Sequence, residues 1–223
     1  MKLSNELKNS FKAAEKEFKE EPMNQFYENK IVGYPSRLRV KKILKELGKI
    51  KGRKVIDVGC EAGYISLKIL EKEPSNLYAI DIIEDALKEF KKKLSTKSHN
   101  TNIVVKKAPL QKIPFKSHLF DVAVCTEVIE HAPELDKGFS EIARVLKKGG
   151  KLILTFPNEK LRKLTHPIIK FFGINTKVEK EVTLYERNPR DIINKLENNF
   201  IIIKSQRFPW FFPITNFIVC EKR

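Results

Sequence analysis

No stretch of this 223-residue sequence reaches the roughly 18 to 20 consecutive apolar residues that a membrane-crossing helix needs. An integral membrane segment is therefore not expected. The Lys- and Glu-rich start also lacks the apolar core of a secretory signal, so the expectation is a soluble, cytoplasmic protein. Cysteine is scarce: Cys60, Cys125 and Cys220 are odd in number, far apart and not in CxxC spacing. That excludes a disulfide framework and a zinc ribbon and fits a reducing compartment. Repeats of about 20 to 50 residues and Pro/Ser/Gly linkers are missing too, so composition offers no clean domain cut. What is present is a hydrophobic content of 41% with 9% aromatics, too much for a disordered chain. The length suits one well-buried α/β domain with small additions.

Acidic residues are in deficit. Against 28 Asp plus Glu stand 44 Lys plus Arg, a formal charge of +16, which would attract nucleic acid, an anionic membrane surface or acidic substrates. The excess is mostly Lys and is spread over every region, as a solvated surface also produces.

The first fifty residues read as a helical cap. Leu7, Phe11, Ala14 and Phe18 recur at helical spacing over 4–20, and Leu38, Ile43, Leu44 and Leu47 do so over 36–48, ahead of Gly48 as a C-cap. From residue 54 short β-rich runs alternate with helical stretches. Strands are expected at 55–58, 77–81, 103–105, 120–125 and 149–156, and helices at 63–72, 84–94, 134–147 and 189–198. This alternation predicts βαβ units, hence a doubly wound, largely parallel sheet with helices on both faces. The ending departs from it: FIIIKSQRF and NFIVCEK are separated only by the turn PWFFPIT. Too little chain remains for a parallel crossover, so the last strand must be antiparallel.

The segment VIDVGCEAG places Asp57 at a strand end and Gly59 and Gly63 in the turn that opens a helix. Glycine there allows close backbone approach to a ligand, and the helix N-terminus adds partial positive charge. Asp81 ends the next strand, where a carboxylate in a doubly wound fold can accept both hydroxyls of a ribose.

These residues resemble the class I S-adenosylmethionine-dependent methyltransferases. The resemblance covers about residues 50–223 and rests on an ordered set: VIDVGCEAG, YAID, PLQKIPF ahead of FDVAVC, TEVIEH, ARVLKKGGKLILTFPN and the terminal hairpin. It implies a Rossmann-like fold and S-adenosylmethionine as cofactor. Asp57, Gly59, Cys60, Glu61 and Gly63 would line the cofactor from the first turn, and Asp81, Ile82, Leu110 and Thr126 from the following strand ends. Two positions depart from the family pattern. Glu61 stands at its middle glycine, and Pro109 stands where an acid often binds the adenine amine. Adenine recognition is then expected from the backbone near Leu110 and from apolar neighbours such as Ile82.

On the acceptor side, CTEVIEHAPEL follows a strand end, and a helical turn there would put Glu127, Glu130 and His131 on one face. Three readings stay open. His131 is suited to act as general base for a hydroxyl acceptor; the three side chains together are suited to hold a divalent ion such as magnesium; or the histidine packs structurally. The ExxEH pattern resembles that of ubiquinone-biosynthesis O-methyltransferases and of small-RNA 3′-end 2′-O-methyltransferases, which implies a metal, with His166 as a fourth ligand. His99, His118 and Cys125 have no sequence partners and read as ordinary residues.

The organisation expected is a helical cap over 1–50 and a cofactor-binding domain over 51–223 with a substrate-side insertion at about 158–186. Acceptor walls would come from the cap, from the insertion with Phe171, Phe172, Arg162, Lys163 and Lys170, and from the hairpin turn with Trp210, Phe211 and Phe212. The leading expectation is methyl transfer to the oxygen of a small-molecule or lipid-like acceptor. The alternatives are an RNA methyltransferase and a non-catalytic binding protein on the same fold, with a membrane surface as a further partner.

Overall fold

The computed structural model describes residues 5–20, 33–161, 185–210 and 213–223. Helix α1 spans Asn5–Glu20 and α2 Tyr34–Leu47. Strand β1 (Lys54–Val58) leads through α3 (Tyr64–Leu70) to β2 (Asn76–Asp81), and α4 (Glu84–Ser95) leads to β3 (Asn102–Lys107). Strand β4 (Phe120–Thr126), α5 (Leu135–Val145) and β5 (Leu146–Pro157) follow, and then α6 (Pro189–Glu197), β6 (Phe200–Phe208) and β7 (Thr215–Lys222).

The seven strands form one sheet in the order β3-β2-β1-β4-β5-β7-β6. Strands β1 to β5 pair in parallel, and β7 runs antiparallel to both β5 and β6. The expected α/β class, the helices on both faces and the antiparallel closing strand are all found.

Strand alternation divides the core. Ile56, Val58, Ala123 and Cys125 point to the face covered by α5 and α6 through Leu135, Phe139, Ile142, Ile192 and Leu196. Val55, Leu77, Val122 and Val124 point to the opposite face, where α2 brings Val40, Ile43 and Leu47 and α3 brings Ile65 and Ile69. Each fully buried side chain of this size contributes about 1.5 to 3 kcal/mol, so the two layers rather than helix propensity hold the sheet. Helix α4 buries Leu87 and Phe90 beside Cys60 and Ala79.

Two boundaries differ from the sequence expectation. Strand β5 begins at Leu146, which pairs with Phe120 before the chain turns through Lys147–Gly150 and resumes the ladder at Lys151 opposite Val122. The turn expected ahead of the strand therefore lies within it. Helix α3 is confined to Tyr64–Leu70, with Gly63 at φ 80 as its N-cap and Glu71 as its C-cap.

In this topology the strand order reverses between β1 and β4, so the C-terminal ends of β1, β2 and β4 open a crevice at a topological switch point. Helix α1 lies over that edge, packing Ala14 and Phe18 on Ile82, Ile83 and Ala86 just beyond β2.

Candidate cofactor and acceptor crevice

Asp57 ends the inward register of β1 and is fully buried. Its Oδ2 accepts the Ser66 hydroxyl at 2.6 Å, tying the strand to the first turn of α3, while its Oδ1 is buried with no hydrogen-bond partner among the described residues. Burial is the main reason its carboxyl is pushed up to about 7; the bond from Ser66 opposes the shift and the nearby Asp81 adds to it. A buried carboxylate oxygen left unsatisfied at the mouth of a crevice is a receptor for a cationic donor.

The turn after β1 is shaped by close packing. A Cβ on Gly59 would stand 2.1 Å from Val128, and one on Gly63 would stand 2.0 Å from Phe90, with both glycines at positive φ. The amides expected to face a ligand are partly spent inside the protein. Gly59 and Cys60 both donate to the Ile80 carbonyl, at 2.8 and 3.0 Å, and Glu61 donates to Asp81 Oδ2 at 2.8 Å. Glu61 takes the middle glycine position in the left-handed region at φ 47. The backbone there meets the glycine requirement with a residue that carries charge, at a conformational strain of about 1 kcal/mol.

Asp81 is buried at the end of β2 and also accepts the Ile83 amide on Oδ1 at 2.9 Å. Burial raises its carboxyl above the ordinary range, offset by the amides of Ile83, Glu61 and Ile82 and by His131. The Glu61 and Ile83 amides take one site on each oxygen, and the carboxylate keeps acceptor capacity for a ribose hydroxyl. Ile82 is half-buried beside α1, and Thr126 is buried at the end of β4. Leu110 turns its side chain into the core, within 2.8 Å of where a Gly138 Cβ would stand, which leaves only its backbone for the crevice. Burial first, then Asp81 and Asp57, holds the Cys60 thiol well above its ordinary range, so it is not a thiolate nucleophile.

The segment 127–132 is a turn, not a helix, and Glu127 sits at φ 55, so Glu127, Glu130 and His131 do not share a helical face. Glu127 is bound to Arg39 of α2 at 2.9 Å and accepts the Thr155 hydroxyl at 3.0 Å. Glu130 is buried, its Oε1 lying 3.9 Å from His131 Nε2. His131 keeps about a fifth of its side chain exposed (20%). Among the described residues no group of three or more His, Cys, Asp or Glu is arranged to hold a metal ion. With Glu127 committed to Arg39, these residues do not fit magnesium. His166, Phe171, Phe172, Arg162, Lys163, Lys170, Phe211 and Phe212 lie outside the described residues. His99 meets the Thr101 carbonyl, and His118 meets Lys222.

Several residues that build this crevice carry no motif. Arg39 and Ser10 were detectable in principle, because each interrupts an apolar helical stripe: Arg39 lies four residues before Ile43, and Ser10 lies between Leu7 and Ala14. Ser10 donates its hydroxyl to the His131 carbonyl. Arg187 and Tyr185, which grip the same turn, gave no sequence signal. No helix among the described residues is long and apolar enough to cross a membrane.

Residues 56–154 match the family model described as a methyltransferase domain. The ubiquinone/menaquinone biosynthesis C-methyltransferase of Geobacter sp. (strain M21) is 29% identical over 113 residues, 50% of this chain and 48% of that protein. The ubiquinone biosynthesis O-methyltransferase of Coxiella burnetii is 26% identical over 120 residues, 54% of this chain and 50% of that one. The chain thus spans about half the length of these curated relatives. Magnesium protoporphyrin IX methyltransferase from Synechocystis PCC 6803, solved with bound S-adenosylhomocysteine, superposes with a TM-score of 0.72 at 20% identity, covering 95% of this chain and 99% of that one. That likeness shows the shared fold.

Proposed function

We propose that this chain, whose residues 56–154 match the family model described as a methyltransferase domain, is an S-adenosylmethionine-dependent methyltransferase acting on the oxygen of a small-molecule or lipid-like acceptor. The observation that carries the reading is the pair of buried carboxylates at the ends of β1 and β2: Asp57 with an unsatisfied oxygen, and Asp81 held by backbone amides with lone pairs to spare. The relatives' names point to a quinone-type acceptor.

When bound, S-adenosylmethionine supplies an electrophilic methyl on a sulfonium centre. Asp81 would hold the ribose hydroxyls, Asp57 the ammonium, and the cradle closed by Val128 and Phe90 would fix the depth of binding. Ile82, Thr126 and the backbone at Leu110 complete the walls. Little covalent work falls to the protein. Its contribution is to align the acceptor oxygen and exclude water, with α1, the segment at about 158–186 and the hairpin turn as the enclosing elements. His131, partly exposed beside buried Glu130, would take the acceptor's hydroxyl proton on its imidazole. Glu127 serves the same end indirectly by fixing the turn to α2.

Calorimetric titration with S-adenosylmethionine and S-adenosylhomocysteine tests the reading. Wild-type protein should bind in the micromolar range. Asp81→Ala should weaken binding at least about 100-fold, because charge-assisted hydrogen bonds contribute about 1.5 to 3 kcal/mol each. No binding by the wild type overturns the proposal. With binding in hand, mass spectrometry of prenylated hydroxybenzenes incubated with S-adenosylmethionine distinguishes methyl on oxygen from methyl on carbon.

A further inference from the structure

Four consecutive carbonyls in the Glu130–His131 turn are each held from outside the turn. Arg187 Nε donates to the Ile129 carbonyl at 2.9 Å, and its Nη2 donates to the Ala132 carbonyl at 2.5 Å. The Tyr185 amide donates to the Glu130 carbonyl at 3.1 Å, and Ser10 donates its hydroxyl to the His131 carbonyl. The Arg187 guanidinium also lies 4.4 Å above the Tyr185 ring, and burial pulls its proton affinity below the ordinary range for arginine. A planar guanidinium presents its donors in a fixed fork, so one side chain spans two carbonyls and sets the distance between them. Its stacking on Tyr185 holds the fork itself.

We infer that Arg187 is a positioning residue: by clamping the carbonyls of Ile129 and Ala132 it fixes where the His131 imidazole stands in the crevice. The consequence for methyl transfer rests on the reaction proposed above, whereas the clamp itself does not. Arg187 lies close behind the substrate-side segment, and Ser10 lies on the helix that also covers the ribose-side loop through Ala14. The turn that carries His131 is therefore held jointly by α1 and by residues 185 and 187.

The chain has four histidines, so histidine-labelled protein gives a sparse NMR spectrum in which His131→Gln assigns the key signal. His99 and His118 sit elsewhere in the fold and serve as internal standards. In Arg187→Ala the His131 signal should move or broaden while those of His99 and His118 stay, with S-adenosylhomocysteine affinity within about threefold of wild type, as expected for separate sites. Arg187→Lys should give an intermediate displacement, since an ammonium reaches one of the two carbonyls. If Arg187→Ala does not fold, the lysine variant carries the test by the same criterion. An unmoved His131 signal, or a shift of every histidine together with loss of cofactor binding, overturns the inference. Failure of the wild type to bind S-adenosylhomocysteine would remove the methyltransferase reading and leave the histidine comparison to decide the clamp.

Discussion

On the cofactor side of the crevice the shaping contacts join near neighbours: Ser66 to Asp57, Glu61 and Ile83 to Asp81, Gly59 and Cys60 to Ile80, Gly63 against Phe90. On the acceptor side the 127–132 turn is held by Arg39, Thr155, Tyr185, Arg187 and Ser10, the last 121 positions away from its partner. The first half is built mostly from β1, α3, β2 and α4, with Val128 of the 127–132 turn reaching into it at Gly59. The second exists only when the whole sandwich, α1 and the 185–187 segment are in place. On the function proposed above, cofactor binding and acceptor choice would rest on largely different parts of the chain, and changes away from the Gly59–Val128 contact should leave the other side intact.

The largest way to break the comparison is at a glycine. Gly63→Ala forces a Cβ to within 2.0 Å of Phe90 at φ 80, and overpacking plus left-handed strain should cost about 2 to 4 kcal/mol in chemical denaturation. Gly52 has a similar φ of 78 with nothing within 4 Å, so Gly52→Ala should cost only about 1 kcal/mol. Equal losses would show that the cradle is not tightly packed.

The acceptor half is next. Arg39→Met removes the partner of Glu127 from a pair whose side chains are 6% and 21% exposed. Breaking a buried pair costs about 3 to 5 kcal/mol, and the partial exposure of Glu127 reduces the expected loss to about 2 kcal/mol. The double variant Arg39→Met/Glu127→Leu should recover much of it. Cofactor affinity should hold in both, and a large drop would mean that the two halves are not separable.

How far this division was legible follows from the distances involved. The glycine turn, the two strand-end acids and the antiparallel ending were all readable, because each depends on residues close in sequence or on a loop too short for a crossover. The spacing of Glu127, Glu130 and His131 would put them on one face of a helical turn, but the 127–132 segment is not helical: Glu127 sits at φ 55 and bonds to Arg39 and Thr155. Those partners come from an N-terminal helix and a neighbouring strand, and no local pattern reports them. The same reason hid Arg187, whereas Ser10 and Arg39 left a trace as polar interruptions of apolar stripes.

A smaller effect sharpens the cofactor side. The folded Asp57 carboxyl titrates near 7 against an ordinary 3.8. An acid raised on folding stabilises the protein fully below its unfolded value, and that stabilisation is lost as pH rises through the folded one. The free protein should therefore lose stability from about pH 4 to 7 in a way that Asp57→Asn does not. An ammonium prefers the ionised carboxylate, so wild-type affinity for S-adenosylhomocysteine should rise about tenfold between pH 6 and 8, and Asp57→Asn should flatten that rise. A wild-type affinity independent of pH would place the ammonium elsewhere.

The smallest effect is the most discriminating for the acceptor half. Ser10→Ala deletes one hydroxyl that donates to the His131 carbonyl, and α1 keeps Leu7 and Ala14 as its buried anchors. A single neutral hydrogen bond contributes about 0.5 to 1.5 kcal/mol, so global stability should fall by no more than about 1.5 kcal/mol. The bond nonetheless joins the helix over the ribose-side loop to the turn that carries the acceptor histidine. If the halves communicate only through α1, the shift of the His131 NMR signal on adding S-adenosylhomocysteine should shrink in Ser10→Ala and persist in Gly52→Ala. An undiminished shift would locate the coupling in direct proximity of Asp81 and His131 across the crevice, with α1 as a cover and not a link.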